Sequence, residues 1–468
     1  MTVIRAEVHC FNKNHESFYV LDNACFRAKN LYNKALFYIR RVYIFSSDLS
    51  QGIPLNEDGK QCIIDINKAV DDYNIFKKNR CEKTGKTFNK HLYFGKNFKT
   101  VGYDFLNFLL KPTDEYKALN AQVSQQTLKL VIKNWVSYHR AIQEWHKEPE
   151  KFTGKPGMPN YKDKVKGRST VIVTKQHFTK DNTNLFLSEN LGNVQITTTL
   201  DDPCQVRINP KGKFYTVDVV YKITAPKLKK TTNILGIDLG INNLVTMVNN
   251  IGLQPVVVKG EAIKSYNQYY NKRKARYASI LEIQTGRKTS NTLETLGRKR
   301  YFFVKNFMHK TSRFIINYCV KNNIDTIVIG KNNQWKTGIN LGSTTNQKFV
   351  YIPHNLLVEQ IKYKASDAGL RVKITAESYT SKASFLDNDE LPKYDENAEK
   401  PKFSGRRIHR GLYRSADSTL INADVNGAYN IIRKVFPDAF ERNGIVGVGR
   451  HPVMRNILAL PMSLKMIA

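Results

Sequence analysis

Two carboxylates stand out by their setting. Asp238 closes the apolar run of ILGIDLGINNLVT, where Gly240 removes a side chain that would obstruct close backbone approach. Asp424 opens the run ADVNGAYNIIRK, with Asn426 and Asn430 four residues apart and therefore on one helical face beside it. Acids converging from separate elements suit phosphodiester cleavage assisted by two Mg²⁺ ions, about 4 Å apart, which stabilise the attacking and the leaving oxygen. Mg²⁺ prefers such hard oxygen ligands. Plainer readings exist for each: D-x-G after a strand also serves nucleotide-binding sheets and ordinary turns, and an Asp at a helix start is commonly an N-cap.

The composition says what such acids would work on. The chain has 468 residues and a net charge of +34, and 41% of it is hydrophobic, including 24 Tyr and 24 Phe. That is ample for packed cores, so a disordered basic tail protein is excluded, and the length predicts two to four domains. An excess of positive charge weakens the compact state unless a polyanion offsets it. Residues 1–229 hold 37 Lys and Arg against 22 Asp and Glu, and residues 230–468 hold 37 against 18. Both halves are basic, so nucleic acid is expected to run across the whole molecule. The six cysteines are scattered without a C-x-x-C pair, which offers no disulfide scaffold and no zinc site. No stretch approaches 18 uninterrupted apolar residues, and MTVIRAEVHCF alternates like a strand, unlike a signal segment, so no membrane partner is expected.

The elements that must position the acids are legible in outline. After the first strand, helical patterning begins near Leu21, and residues 50–115 read as short helices and loops. Leu128, Val131, Trp135, Tyr138, Ile142 and Trp145 form one apolar stripe on a predicted helix of about 30 residues, the seam of a helical core. Gly and Pro in KFTGKPGMPNYKDK break it. The runs TVIVTKQHF, NVQITTTL, CQVRI and FYTVDVVYKI then predict an antiparallel barrel or sandwich that Val3–Cys10 joins. From Thr231, strands alternate with helices, which predicts a helix-covered sheet. Within it lies a basic, aromatic-interleaved helical stretch over 261–320, followed by the strands IDTIVIG and RVKITAE and a last helix over 424–436.

Taken in order, GIDLGINNLVT, IVIGKNNQWK, INLGSTTNQKFVYIPHNLLVEQIKYKA, ESYTSKASFLD and FSGRRIHRGLYRSADSTLINADVNGAYNI resemble TnpB, the RNA-guided nuclease family of bacterial insertion sequences that is ancestral to type V CRISPR effectors. The resemblance covers about 230–452, and GKPGMPNYK more weakly. It implies a multidomain α+β protein: an RNase H-like (RuvC) nuclease domain preceded by a β-barrel wedge domain with a helical recognition insertion. The implied divisions are 1–19 for the first wedge strand, 20–147 for the helical recognition domain, 148–229 for the wedge barrel and 230–468 for the nuclease domain. Within the last, 261–320 is a basic helical insertion and 378–423 a loop that binds the target. A guide RNA and a double-stranded DNA target are the implied partners; a homodimer is not indicated.

The chain departs from the family pattern twice. Where members usually carry a catalytic Glu, at the end of IDTIVIG, it has Gly330. In an RNase H-like sheet the next parallel strand, RVKITAE, is a neighbour about 4.8 Å away, so Glu377 at its end can reach the ion that the missing acid would have served. Asp325 lies at the opposite end of its strand and cannot. The expected catalytic and metal-binding set is therefore Asp238, Glu377 and Asp424, with two Mg²⁺ ions or Mn²⁺ in their place. Second, residues 378–423 contain no cysteine, so no structural zinc is expected where members carry a ribbon. That segment has six acids in 387–399 and then the basic residues Lys400, Lys402, Arg406, Arg407, Arg410 and Arg414. Arg406, Arg407 and Arg410, with Tyr413 beside them and Lys382 upstream, are expected to hold phosphates. Trp335 and Lys336 are expected to stack on and pair with nucleic acid, with simple packing the alternative for Trp335, and the helices of 261–320 fit a guide–target duplex recognised by its backbone shape.

The resulting expectation is a Mg²⁺-dependent, RNA-guided DNA endonuclease with one site cutting both strands in turn, acting in the cytoplasm or on the nucleoid of a prokaryote. The alternatives are a nuclease-inactive, RNA-guided DNA-binding relative, which Gly330 favours, and a strand-transfer enzyme on the same fold.

Overall fold

The computed structural model describes residues 2–228, 232–332, 352–393, 399, 401–409, 411–440 and 451–459. Two units are present, Thr2–Ile223 and Thr224–Ala468.

The first unit begins with β1 (Thr2–Asn12), followed by α1 (Phe18–Ser50), α2 (Glu57–Thr84), α3 (Tyr103–Leu110), α4 (Asp114–Lys117) and α5 (Ala121–Lys147). The strands β2 (Val171–Thr174), β3 (Phe178–Asp181), β4 (Asn184–Leu187), β5 (Gln195–Thr197), β6 (Pro203–Pro210) and β7 (Phe214–Thr224) complete it. β1 does join the later strands, in a four-stranded sheet ordered β1-β7-β6-β2, and β3-β4-β5 form a second, antiparallel sheet. At 1.5 Å per residue α1 is about 50 Å long, enough to serve two cores. Its first half, with Leu21 and Cys25, packs on the strands; its second half, with Leu36 and Ile39, packs on α2 and α5. In the α5 seam Leu128, Val131 and Trp135 are buried while Tyr138, Ile142 and Trp145 are half-buried.

The segment expected to be short helices contains one of 28 residues, α2. Its ends are well specified: the Asn56 side chain accepts from Gly59 N, and Gly85 closes the helix in the left-handed region at φ 66°. Of its apolar residues only Ile66, Val70 and Tyr73 are buried. So narrow a stripe gives weak periodicity, which is why composition suggested loops.

The second unit contains β8 (Ile234–Leu239), β9 (Asn243–Asn249), β10 (Val256–Lys259), α6 (Glu261–Thr285), α7 (Asn291–Lys321), β11 (Thr326–Gly330), α8 (His354–Asp367) and β12 (Arg371–Thr375). It ends with β13 (Arg406–His409), β14 (Leu412–Arg414), β15 (Leu420–Asn422), α9 (Ala423–Val435) and β16 (Val453–Arg455). Its main sheet is ordered β12-β11-β8-β9-β10-β16. β8, β9 and β10 form an antiparallel meander, while β11 runs parallel to both β8 and β12.

Because side chains alternate across a strand, each strand serves two layers. Leu235, Ile237, Ile327 and Ile329 pack under α7 and α8 with Phe307, Ile315 and Ile361. Ile234 and Val328 face α9 with Ala428, Ile431 and Ile432. Fully burying side chains of this size contributes about 1.5–3 kcal/mol each. The second half of α7 is thus core, and the basic stretch over 261–320 is not wholly an added surface. Its free part is α6, of which Ile263 and Asn267 alone are buried. α6 is fastened to α7 by Tyr266 stacked on Phe303 at 4.1 Å and by Arg300 Nε donating to Asn267 Oδ1 at 2.7 Å.

Candidate active site

Parallel strands end at a common edge, and here β8, β11 and β12 do so. The register pairs Ile329 with Ile237 and Gly330 with Thr375, which sets Asp238 one residue beyond the first pair and Glu377 two residues beyond the second. Alternation puts Asp238, Gly330 and Glu377 on the face covered by α9. Asp424 stands in the first turn of that helix, but it is not the cap. Asn422 is, accepting from Asp424 N at 3.0 Å and Val425 N at 3.2 Å. Gly240 allows the close backbone approach that its sequence suggested. A Cβ there would lie 2.4 Å from Asn243 O, so the residue closes the β8–β9 turn. His354 Nε2 lies 2.9 Å from the Gly240 carbonyl and ties α8 to that turn.

A side chain on Gly330 would collide with Glu377. An ideal Cβ at 330 falls 2.9 Å from Glu377 Cγ and 2.5 Å from Ile431 Cδ1. Glu377 therefore occupies the space above Gly330. Its backbone N–H donates to Asn332 Oδ1 at 2.8 Å, and its carbonyl accepts from Thr380 Oγ1 at 2.9 Å. Its Oε1 is buried and has no hydrogen-bond partner among the described residues. Burial, then the charge of Asp238, pushes the Glu377 carboxyl up to about 8. Burial, then the charge of Asp424, pushes Asp238 up to about 7 against an opposing pull from Arg407. Asp238 thus stands between two like charges, Glu377 and Asp424, a situation that a cation relieves.

Asp424 is already engaged. Asn243 Nδ2 donates to its Oδ2 at 2.7 Å, and Arg407 Nη2 pairs with its Oδ1 at 3.1 Å. Among the described residues no three His, Cys, Asp or Glu side chains are drawn together into a preformed metal cage. The donor set nonetheless fits Mg²⁺ in kind: hard oxygens, one of them buried and without a partner among the described residues, and two raised carboxyls whose protons a bound cation would displace.

The remaining sequence candidates separate clearly. Lys382 and Arg406 are exposed, and Arg407 reaches the acids directly. Trp335, Lys336, Lys400 and Arg410 lie outside the described residues. Tyr413 is not available to phosphate, because it is buried and its hydroxyl donates to Lys382 O at 2.7 Å. Asp325 is buried at the far edge, paired with Arg371 Nη2 at 2.7 Å. Asp387 and Asp389 are fasteners. They accept from Ala416 N at 2.9 Å and Ser384 N at 2.7 Å respectively, and both accept from Ser404 Oγ. Sequence reasoning missed Asn243 and Asn332. Each belongs to an Asn-Asn doublet just past a strand ending at the active edge, and that repetition was the available signal.

Comparison with known proteins supplies the kinship. Residues 214–336 match the family OrfB_IS605, described as a probable transposase, and residues 354–431 match the Cas12f1-like TNB domain. The chain is thus similar to these two families over the stretches matched. Over 286 residues the chain is 23% identical to the CRISPR-associated endodeoxyribonuclease Cas12f1 of Syntrophomonas palmitatica, a match spanning 59% of this chain and 54% of that protein. It thus spans about half the length of this curated relative. Two solved structures are also similar to the chain. One is a Cas12f1–sgRNA–target DNA complex, with TM-score 0.46, 13% identity and coverage of 78% and 80% of the two chains. The other is a CRISPR–Cas12f ternary complex, with TM-score 0.32, 12% identity and coverage of 88% and 80%. Among the described residues no helix is long and apolar enough to cross a membrane.

Proposed function

We propose that this chain is an RNA-guided DNA endonuclease whose single site is formed by Asp238, Glu377 and Asp424. The observation that carries the reading is the Gly330–Glu377 exchange: an acid absent from one strand end is matched by an acid whose side chain fills the vacated space. The endonuclease class is supported by the likeness to Cas12f1, and a guide RNA and DNA target by the TnpB resemblance with a net charge of +34. The wedge assignment of the first unit's strands and the recognition role of its helices rest on the same resemblance.

Mg²⁺, when bound, supplies electrophilic stabilisation of the attacking and leaving oxygens. The chain's own residues do the positioning. Asp238 and Glu377 would hold ions from two neighbouring strand ends, and Asp424 from the helix that covers them. Asn243 orients Asp424 by its hydrogen bond. Arg407, with 44% of its side chain exposed, is able to leave Asp424 for a phosphate while keeping positive charge at the cut. Lys382 and Arg406 would hold the strand on either side, and the exposed Lys272, Arg273 and Arg276 of α6 would follow the duplex backbone.

The test is Mg²⁺-dependent plasmid cleavage by the protein purified with its RNA, beside Glu377→Ala. Cutting by the wild type and loss of it in Glu377→Ala are expected; undiminished cutting by Glu377→Ala overturns the acid set. A second reading, a nuclease-inactive guide-dependent DNA binder, is favoured by Asp424 having both oxygens occupied and by the lack of a preformed cage among the described residues. Target binding without any cutting by the wild type would establish it.

A further inference from the structure

α9 does more than supply Asp424. The side chains on its inner face hydrogen-bond the backbone of the segment that follows Glu377, one contact after another. Lys434 Nζ donates to Ser378 O at 2.9 Å. Asn430 Nδ2 donates to Thr380 O at 3.0 Å and to Ala383 O at 2.8 Å. Asn426 Nδ2 donates to Ala383 O at 2.8 Å, and its Oδ1 accepts from Phe385 N at 2.9 Å. Asn426 and Asn430 are fully buried, so these bonds are not exchanged with water. The segment needs holding. It leaves the sheet after β12, and Tyr379 takes the left-handed φ of 64°, a conformation costly for a non-glycine residue.

We infer that Asn426, Asn430 and Lys434 are positioning residues for Glu377: the helix carrying one acid fixes, through backbone hydrogen bonds, the place of another that its own strand does not hold. Glu377 lies two residues beyond β12, where the sheet ladder no longer restrains it. Its carbonyl is bound to Thr380, and Thr380's carbonyl to Asn430. The route from α9 to Glu377 is therefore two hydrogen bonds long. A backbone carbonyl accepts such bonds whatever its side chain, so this clamp places constraints on α9 and few on 378–385 itself.

This inference rests on Glu377 being a metal ligand, and its test separates the two claims. Mn²⁺ affinity is measured by calorimetry on the full chain, free of RNA, for wild type, Glu377→Gln, Asn430→Ala, Lys434→Met and the pair Glu377→Gln/Asn430→Ala, with melting temperatures recorded in parallel. Residues that orient a ligand typically cost about 10–100-fold in affinity when lost. Asn430→Ala is expected to weaken Mn²⁺ binding by about tenfold or more, within that range. It should do nothing further in the Glu377→Gln background, since residues acting through one group are not additive. Lys434, half-buried near the helix end, is the variant that folds if Asn430→Ala does not, and a loss of affinity is expected there too. Unchanged affinity in every clamp variant that folds, or equal losses with and without Glu377, overturns the clamp. Unchanged affinity in Glu377→Gln overturns the ligand set instead.

Discussion

Gly330 and Glu377 share one volume. The Cβ that any other residue would place at 330 lies 2.9 Å from Glu377 Cγ, at the strand edge that also carries Asp238. The two positions are bonded partners in neither sequence nor register, since Gly330 pairs with Thr375. They are linked by occupancy: the acid at 377 requires that 330 be small.

Gly330→Ala is accordingly expected to destabilise the protein by about 1–3 kcal/mol, the usual range for overpacking. Part of that cost should vanish when Glu377 is first changed to Ala, leaving the strain against Ile431. Chemical denaturation of the four members of the cycle measures the coupling; strict additivity would mean that the two side chains do not compete.

Arg407→Ala should scarcely change stability, because an exposed ion pair is worth about 0–1 kcal/mol. Freed of the guanidinium, Asp424 and Asp238 should hold Mn²⁺ about two- to fivefold more tightly in the absence of nucleic acid, as expected when a nearby like charge is removed. Calorimetry and thermal melting on the same preparations separate the two effects.

Lys382→Ala and Arg406→Ala leave no buried partner behind, so melting temperatures should stay within about 1 °C, as for surface changes generally. If each side chain contacts a phosphate, the slope of log affinity against log salt should fall by about 1 per substitution. Titrations at several salt concentrations give the slope directly.

Between α7 and α8, Lys364 Nζ donates to His309 O at 2.8 Å and to Ser312 Oγ at 2.6 Å. Burial, then Arg313, lowers the Lys364 amine to about 7, and burial, then Lys364, lowers the His309 imidazole to about 4. For both groups the unfolded chain binds more protons than the folded one, so stability rises with pH. The windows differ: roughly 4 to 6.5 for His309 and 7 to 10.5 for Lys364. Lys364→Met should flatten the second rise, an effect of about 1–3 kcal/mol after allowing for partial solvent access. Denaturation midpoints at pH 7 and pH 10 decide it.

In the first unit Asp22 accepts from Arg168 Nε at 2.9 Å and Nη2 at 2.8 Å, and from Tyr215 OH. The hydrogen bond from Arg168 leads the causes that hold the Asp22 carboxyl below its ordinary value. This contribution is present above the unfolded value and fades as pH falls through the lower, folded one. Arg168→Met should cost about 1–3 kcal/mol at neutral pH, the range for losing hydrogen bonds to a charged group, since the half-buried Asp22 keeps its bond from Tyr215. It should also reduce the loss of stability on acidification, read from melting temperatures at pH 3 and pH 7.

Local signals in the sequence mark the pieces. Asp238 follows an apolar run, Asp424 opens a helix, the α5 seam repeats at helical spacing, and 378–423 lacks cysteine. These features depend on residues a few positions apart, where periodicity and caps act, and they sufficed to outline the second unit as a helix-covered sheet. α2 escaped because a helix with one narrow buried stripe has little periodicity to read. Tyr413 looked like a phosphate contact because its neighbours are basic, yet packing against α9 buried it.

The sequence named Asp238, Glu377 and Asp424 together only through a family resemblance. What the tertiary structure decided is the geometry that brings their strand ends and helix start to one edge. Chain position separates Asp238, Glu377 and Asp424 by more than a hundred residues in one case and nearly fifty in the other. Their proximity depends on β11 lying between β8 and β12 in parallel, and on α9 crossing that face. Strand order and register are settled by burial summed over the whole sheet, an energy to which no single motif contributes much. The same summation turns Gly330 from a missing acid into the space for another.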